Sequence, residues 1–258
     1  MLRFLEELWL LTGRSLKVTL REPWAVIPNI GISLFFLFVY DAGLSGIAQL
    51  PAFGGVPYLA FILPVALVSG SVGGAGAAGQ ALIRDLESRY FTKLRLTPVS
   101  RTALVMAPML SGMIQLVAQT VLILLVALAL GLKLPGGLLA AVGVVVLAAG
   151  WGLGFAGYAV GTALRSRSGR TAQAATFIFF PLLFLSDTFV PLTLIKAGWM
   201  RVAAHVNPTT YVFDAMRSLL AHGLVAAPLL RGLAAIVALA VVTLGFAVYT
   251  AQRTLRDA

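Results

Sequence analysis

The sequence predicts an all-α, polytopic membrane protein with six transmembrane helices, and three observations lead there. Of its 258 residues 60% are hydrophobic and 11% charged, with a mean hydropathy of +0.97, whereas a water-soluble domain carries roughly a quarter charged residues. Apolar stretches follow one another with the length of about 20 residues that a bilayer core of ~30 Å demands. The basic residues gather in alternate connections, which is the pattern of a chain crossing a membrane with a fixed orientation. Six spans and their connections use up the chain, so residues 1–258 read as a single transmembrane domain with no room for a large soluble one.

The N-terminal segment, residues 1–22, reads as a helix lying on the membrane. At ~100° per residue, Leu5, Leu8, Trp9, Leu16 and Leu20 fall on one side, and Arg3, Glu6, Glu7, Arg14, Lys17 and Arg21 on the other. That division fits an interfacial helix. Its two glutamates and the absence of a small-residue cleavage site argue against a cleaved signal peptide. Glu22-Pro23 ends it, because proline disfavours helical geometry at the preceding residue.

The first span is expected at Trp24–Tyr40, followed by a Gly- and Pro-containing loop over 41–57, and the second at Tyr58–Leu82. In the second, Gly70, Gly74 and Ala78 recur every four residues, a spacing that lets helix backbones approach closely. A basic stretch, Arg84–Arg101, separates it from the third span, Thr102–Gly131, which Pro108 can kink. Lys133-Leu134-Pro135-Gly136-Gly137 is a tight turn. The fourth span is expected at Leu138–Leu164, with small pairs Gly150/Gly154 and Gly157/Gly161, and the fifth at Thr171–Leu185. Residues 186–228 are short apolar pieces broken by prolines, and Leu229–Thr250 is the sixth span.

Fourteen of the 19 basic residues then fall on one side: Arg3, Arg14, Lys17, Arg21, Arg84, Arg89, Lys93, Arg95, Arg101, Arg165, Arg167, Arg170, Arg253 and Arg256. Lys133, Lys196, Arg201, Arg217 and Arg231 fall on the other. The richer side is predicted to be cytoplasmic. Both termini lie there, as an even number of spans requires. A net charge of +10 spread over membrane-flanking loops gives no single basic face for nucleic acid.

Several chemistries are excluded. The chain contains no cysteine and no Gly-Lys pair, so disulfides, thiolate metal sites and a phosphate-cradling P-loop are all absent from it. Its two histidines, His205 and His222, lie outside the spans, so Ser71 has no base at membrane depth for a serine-hydrolase arrangement. The spans carry no charge at their centres to mark an ion or proton pathway. What remains at depth is neutral and polar. Ser111, Gln115 and Gln119 share one helix face; the stripe serves either as interhelical hydrogen bonding or as the border of a substrate pathway. Asn29, Gln80 and Gln173 are open to the same two readings. Asp214 and Arg217 read as a local ion pair at i, i+3.

At Arg84-Asp85-Leu86-Glu87-Ser88-Arg89-Tyr90-Phe91-Thr92-Lys93-Leu94-Arg95-Leu96-Thr97-Pro98-Val99-Ser100-Arg101 the chain resembles the ABC type-2 transporter permeases of the daunorubicin-resistance type. Asp85, Glu87, Lys93, Leu94 and Thr97–Arg101 match the family pattern, and Arg89 stands where the family usually has glycine. Phe180–Ser186 with Phe189-Val190-Pro191, and Asn207–Tyr211 with Asp214–Arg217, are similar to family text in the same order.

The resemblance implies a permease subunit of an ATP-binding-cassette exporter, itself not an enzyme, in the bacterial cell (inner) membrane. Two permease chains, identical or homologous, would pair over two copies of an ATPase subunit that binds ATP and Mg; this chain would bind no cofactor. The segment 84–101 would hold a cytoplasmic coupling helix contacting the ATPase through Asp85, Glu87, Arg89, Lys93 and Arg95. Residues 1–22 would be the elbow helix and 186–228 would hold short outer re-entrant helices. The substrate would be hydrophobic or amphipathic: a drug, a lipid or a lipid-linked glycan. The alternative is a nucleotide-independent channel or scaffold, which lacks the charged ring a selective channel uses.

Overall fold

A computed structural model describes residues 2–21, 23–44, 46, 49–51, 56–87, 100–189 and 191–254, and all of the regular structure in them is helical. The helices are α1 (Leu2–Leu20), α2 (Pro23–Leu44), α3 (Tyr58–Ser69), α4 (Ser71–Glu87), α5 (Arg101–Ala129), α6 (Gly137–Ser166), α7 (Gly169–Ala175), α8 (Phe179–Phe184), α9 (Gly198–Val206), α10 (Pro208–Ala221) and α11 (Ala226–Thr254). Short 3₁₀ turns at Thr176–Ile178 and Leu192–Leu194 complete them.

Four stretches are long and apolar enough to cross a membrane: Tyr58–Glu87, which is α3 and α4 end to end through Gly70, then Thr102–Ala129, Gly137–Ser166 and Ala226–Thr254. A shorter apolar helix occupies Ile27–Gly43 within α2. The expected fifth span is broken. It consists of α7, one 3₁₀ turn and α8, together residues 169–184, too short at 1.5 Å per residue to cover ~30 Å. The break has a local cause: Pro181 has no N–H to give to residue 177 and its ring crowds that carbonyl, so the chain tightens over 176–178. Most other boundaries move outward, α2 continuing to Leu44, α4 to Glu87 and α11 to Thr254, while the third span ends earlier, at Ala129. Hence Arg84, Asp85 and Glu87 stand on the last turns of the helix that carries the second span.

Side-chain contacts give the packing directions. Ser33 of α2 meets Ser69 at 2.6 Å and Asn29 lies on Gly73, so α2 runs against α3–α4. Gln119 lies on Gly70 and Gly112 on Gly74, so α5 also runs against α4. Gln173 of α7 lies on Gly76 while Gly169 meets Gln80, giving a third antiparallel neighbour. Gly150, Gly154, Gly157 and Gly161 of α6 receive Ile236, Leu239, Leu244 and Phe246 of α11 in the same order, so those two helices are parallel. The six apolar elements therefore alternate in direction along the chain. The recurring small residues act as predicted: Gly70, Gly74 and Ala78 all face α5, and the glycines of α6 form a trough for α11.

The core between these helices holds Trp151, Phe179, Phe213, Leu63, Leu67 and Leu147, all fully buried. Trp151 stacks on Phe155 at 5.2 Å and donates to Ser71 Oγ at 3.3 Å, which gives the Ser71 hydroxyl a structural partner. Away from the core, Phe35 and Phe38 of α2, Leu122 and Leu125 of α5, Leu138 and Val146 of α6, and Val237, Val241 and Val242 of α11 are exposed. Apolar surface on this scale marks a membrane or protein interface, and on helices of spanning length lipid supplies it.

α5 closes with a Schellman motif that explains where the third span stops. Gly131, at φ +97°, donates to Leu128 O at 3.0 Å, and Leu132 N donates to Ala127 O at 3.0 Å. A residue with a side chain would be strained at that φ.

Candidate functional site

The end of the bundle where α4 stops and α5 starts is built around α1. Ser100 caps α5, its hydroxyl accepting from Ala103 N at 3.4 Å, while its own N–H donates to Glu7 Oε2 at 3.0 Å. Arg14, two turns further along α1, forms an ion pair with Asp85 near the end of α4. One helix thus holds both ends of the segment 84–101. The same helix packs on α5, with Thr12 buried and Leu8, Leu11 and Leu16 half-buried. Leu5, Trp9, Leu10 and Leu20 remain exposed. The apolar face expected from periodicity is therefore divided, Leu8 and Leu16 half-buried and Leu5, Trp9 and Leu20 exposed, and Glu7 and Arg14 from the polar face bond to the bundle.

Of the predicted coupling residues, Asp85 carries the Arg14 ion pair and Glu87 is exposed at the tip of α4. Arg89, Lys93 and Arg95 lie outside the described residues.

The predicted polar stripe of α5 resolves into two environments. Gln119 is buried; its Nε2 donates to Ser33 Oγ at 2.5 Å, and Ser33 in turn bonds Ser69 and Asn29 O. Gln115 is half-buried and donates to buried Ser111 Oγ at 3.3 Å. Gln80 and Gln173 bond each other at 3.1 Å.

A second polar centre occupies the opposite end of α3–α4. Arg217 of α10 is 7% exposed and every nitrogen of its guanidinium is engaged. Nε donates to Phe61 O at 2.9 Å; Nη1 to Asp187 Oδ2 at 2.7 Å; Nη2 to Asp187 O at 3.1 Å and Thr188 O at 2.9 Å. The guanidinium also lies over the Phe61 ring, 3.8 Å from its centroid. The local pair with Asp214 read from the sequence is the weakest of these contacts, at 3.7 Å. Arg217 is thereby a buried joint between α10, α3 and the turn after α8. The signal was Asp187, an acid between two long apolar stretches, a position that demands a partner.

The Asn207-Pro208-Thr209-Thr210-Tyr211 motif does adjacent work. Asn207 Oδ1 accepts from Thr209 N at 3.0 Å and starts α10, with Pro208 at the first helical position. Its Nδ2 donates to Leu182 O at 2.6 Å and Leu185 O at 3.0 Å, carbonyls left open where α8 ends. Thr210 and Tyr211 tie back to α9 through Ala204 O and His205 O. The Asp187–Arg217 pair borders a cavity of about 510 Å³ whose walls include Val56, Phe61, Tyr211, Asp214, His222 and Arg231. Asp214, on its rim with its side chain half-exposed, is pushed up to about 7, first by its partial burial and then by the Asp187 carboxylate, against the pull of Arg217 and Arg231.

Apolar helices of spanning length that alternate in direction define a polytopic membrane protein. The model of the ABC-2 type transporter family matches residues 6–221, and the chain belongs to that family, whose members are non-catalytic membrane subunits. No curated protein matches the chain.

Proposed function

We propose that the chain is the permease subunit of an ATP-binding-cassette exporter of the daunorubicin-resistance type. It moves a hydrophobic or amphipathic substrate (a drug, a lipid or a lipid-linked glycan) with ATP hydrolysed, with Mg, on a separate ATPase subunit. Two permease chains, identical or homologous, pair above two ATPase copies. The alternating directions of the six apolar elements support six crossings, with α7–α8 completing the fifth through protein-covered turns and α9–α10 re-entering from the outer side. The basic end is then cytoplasmic, with both termini, in a bacterial inner membrane.

The observation that carries this reading is the double attachment of α1 to the ends of segment 84–101, through Arg14–Asp85 and Glu7–Ser100. A segment held at both ends can transmit a push from a docked motor into α4 and α5. Within it Glu87, Arg89, Lys93 and Arg95 offer charges of both signs to a groove on the ATPase. Along α5, half-buried Gln115 is where the stripe borders the substrate path, and buried Gln119 holds α2, α3 and α5 together.

Co-purification in mild detergent with the ATPase chain tests the reading. Glu87→Ala and Lys93→Ala should each weaken ATPase association or substrate-stimulated hydrolysis several-fold. Unchanged coupling in both variants defeats the assigned contact. Conductance of purified vesicles without nucleotide would favour the channel instead.

A further inference from the structure

Asp187 has an oxygen with no donor. The residue is 3% exposed, its Oδ2 is taken by Arg217, and its Oδ1 is buried with no hydrogen-bond partner. A buried carboxylate oxygen left bare is costly. Arg217 cannot serve it, because Nε and Nη2 are committed to the carbonyls of Phe61, Asp187 and Thr188. The neighbour within hydrogen-bonding reach is a second acid, Asp214, which also stands 3.7 Å from the same Nη1. Two ionised carboxylates at such a site repel; one proton between them converts the repulsion into an O–H···O⁻ bond.

We propose that Asp187 and Asp214 form a proton-binding pair in this cavity, with Asp214 carrying the proton and donating it to Asp187 Oδ1. Ionisation returns that proton to the surroundings through half-exposed Asp214 and leaves both groups as carboxylates. The groups facing the pair are Arg217 and His222 from the α10 side, Arg231 from α11 and Tyr211 on the cavity wall, with Tyr58, Tyr40 and Asp41 beyond Phe61 on α3 and α2. The two arginines balance the two carboxylates, so an organic cation finds no net attraction here, while a proton supplies the one missing donor. The shift of Asp214 to about 7 agrees with this geometry. For an acid raised in the folded state, the stabilisation is complete below its ordinary value of 3.8 and is lost as pH rises through about 7. Above that, Asp214 is driven from Asp187 and the α10 joint loosens.

The test is infrared pH titration of the full-length chain in lipid nanodiscs, with aspartate carboxyls isotopically labelled. Wild type should show a protonated aspartate that ionises with a midpoint at about 7. The signal should vanish in Asp214→Asn, and in Asp187→Asn its midpoint should fall by on the order of one unit. Asp214→Asn keeps a donor for Oδ1, so its unfolding midpoint should stay flat where wild type declines from about pH 4 to about pH 7. Aspartates all ionised above about pH 5, or a protonated signal that survives Asp214→Asn, would overturn the proposal.

Discussion

Replacing Arg217 with alanine should be the most damaging single change in the described structure. It removes four hydrogen bonds, one of them a 2.7 Å contact to Asp187, together with the cation–π contact to Phe61. It also leaves the Asp187 carboxylate 3% exposed with no counter-charge in contact. Breaking a buried pair in this way costs about 3–5 kcal/mol, a large share of a typical total stability of about 5–15 kcal/mol. An ordinary interhelical hydrogen bond in a membrane bundle is worth about 0.6 kcal/mol, so Gln119→Ala, which deletes the bond to Ser33, is the natural yardstick. Both variants can be compared by reversible denaturation in mixed micelles, followed by helical circular dichroism. Arg217→Ala should lose several times as much as Gln119→Ala. Adding Asp187→Ala should restore part of the loss, with a coupling of about 0.5–3 kcal/mol. The reasoning fails if Arg217→Ala costs no more than Gln119→Ala, or if Arg217→Ala and Asp187→Ala simply add.

Four further outcomes are expected. Gly112→Ala places a methyl 2.9 Å from Gly74 O, a backbone atom that cannot step aside, and should cost about 1–3 kcal/mol in the same denaturation assay. Gly70→Ala meets only the movable end of Gln119 and should cost about as little as Gln119→Ala. Asn207→Ala loses the α10 cap and both carbonyl bonds at the end of α8, about 2 kcal/mol, with increased amide exchange at 182–188 as its local signature. Arg14→Ala removes a partly exposed ion pair and should change stability by less than about 1 kcal/mol, yet reduce stimulation of the ATPase; equal, small effects on both would remove α1 from the coupling path.

What could be read from the sequence was whatever the bilayer or a short repeat imposes. Spanning length exposed α3–α4, α5, α6 and α11, because no local context overrides a run of apolar residues in lipid. The four-residue spacing of Gly70, Gly74 and Ala78 marked a close approach correctly, although only the fold reveals that α5 is the helix received. Arg217 is legible only in part: the i, i+3 rule finds the pair with Asp214, which the fold keeps at 3.7 Å, and cannot see Asp187, thirty residues earlier in the chain and joined only when α10 folds onto the turn after α8. The division of α1 was hidden for a related reason. Periodicity tells which side of a helix is apolar, but not that part of that side is covered in the fold while Leu5, Trp9 and Leu20 stay exposed. The fifth element shows the limit of composition: Pro181 was visible, while the tightening it forces at 176–178 is a matter of geometry.

Gly70, Gly73 and Gly76 each lie beneath a carboxamide brought by a different neighbour: Gln119, Asn29 and Gln173. Because the three sites differ by three residues, about 4.5 Å of rise and roughly 60° of turn separate successive seats. A slide of one residue along the shared axis would drive an amide onto a side chain, whereas a small pivot about the seat would not. The surrounding rods are thus keyed in height but left free to lean, the kind of freedom a gate opening by tilt would use.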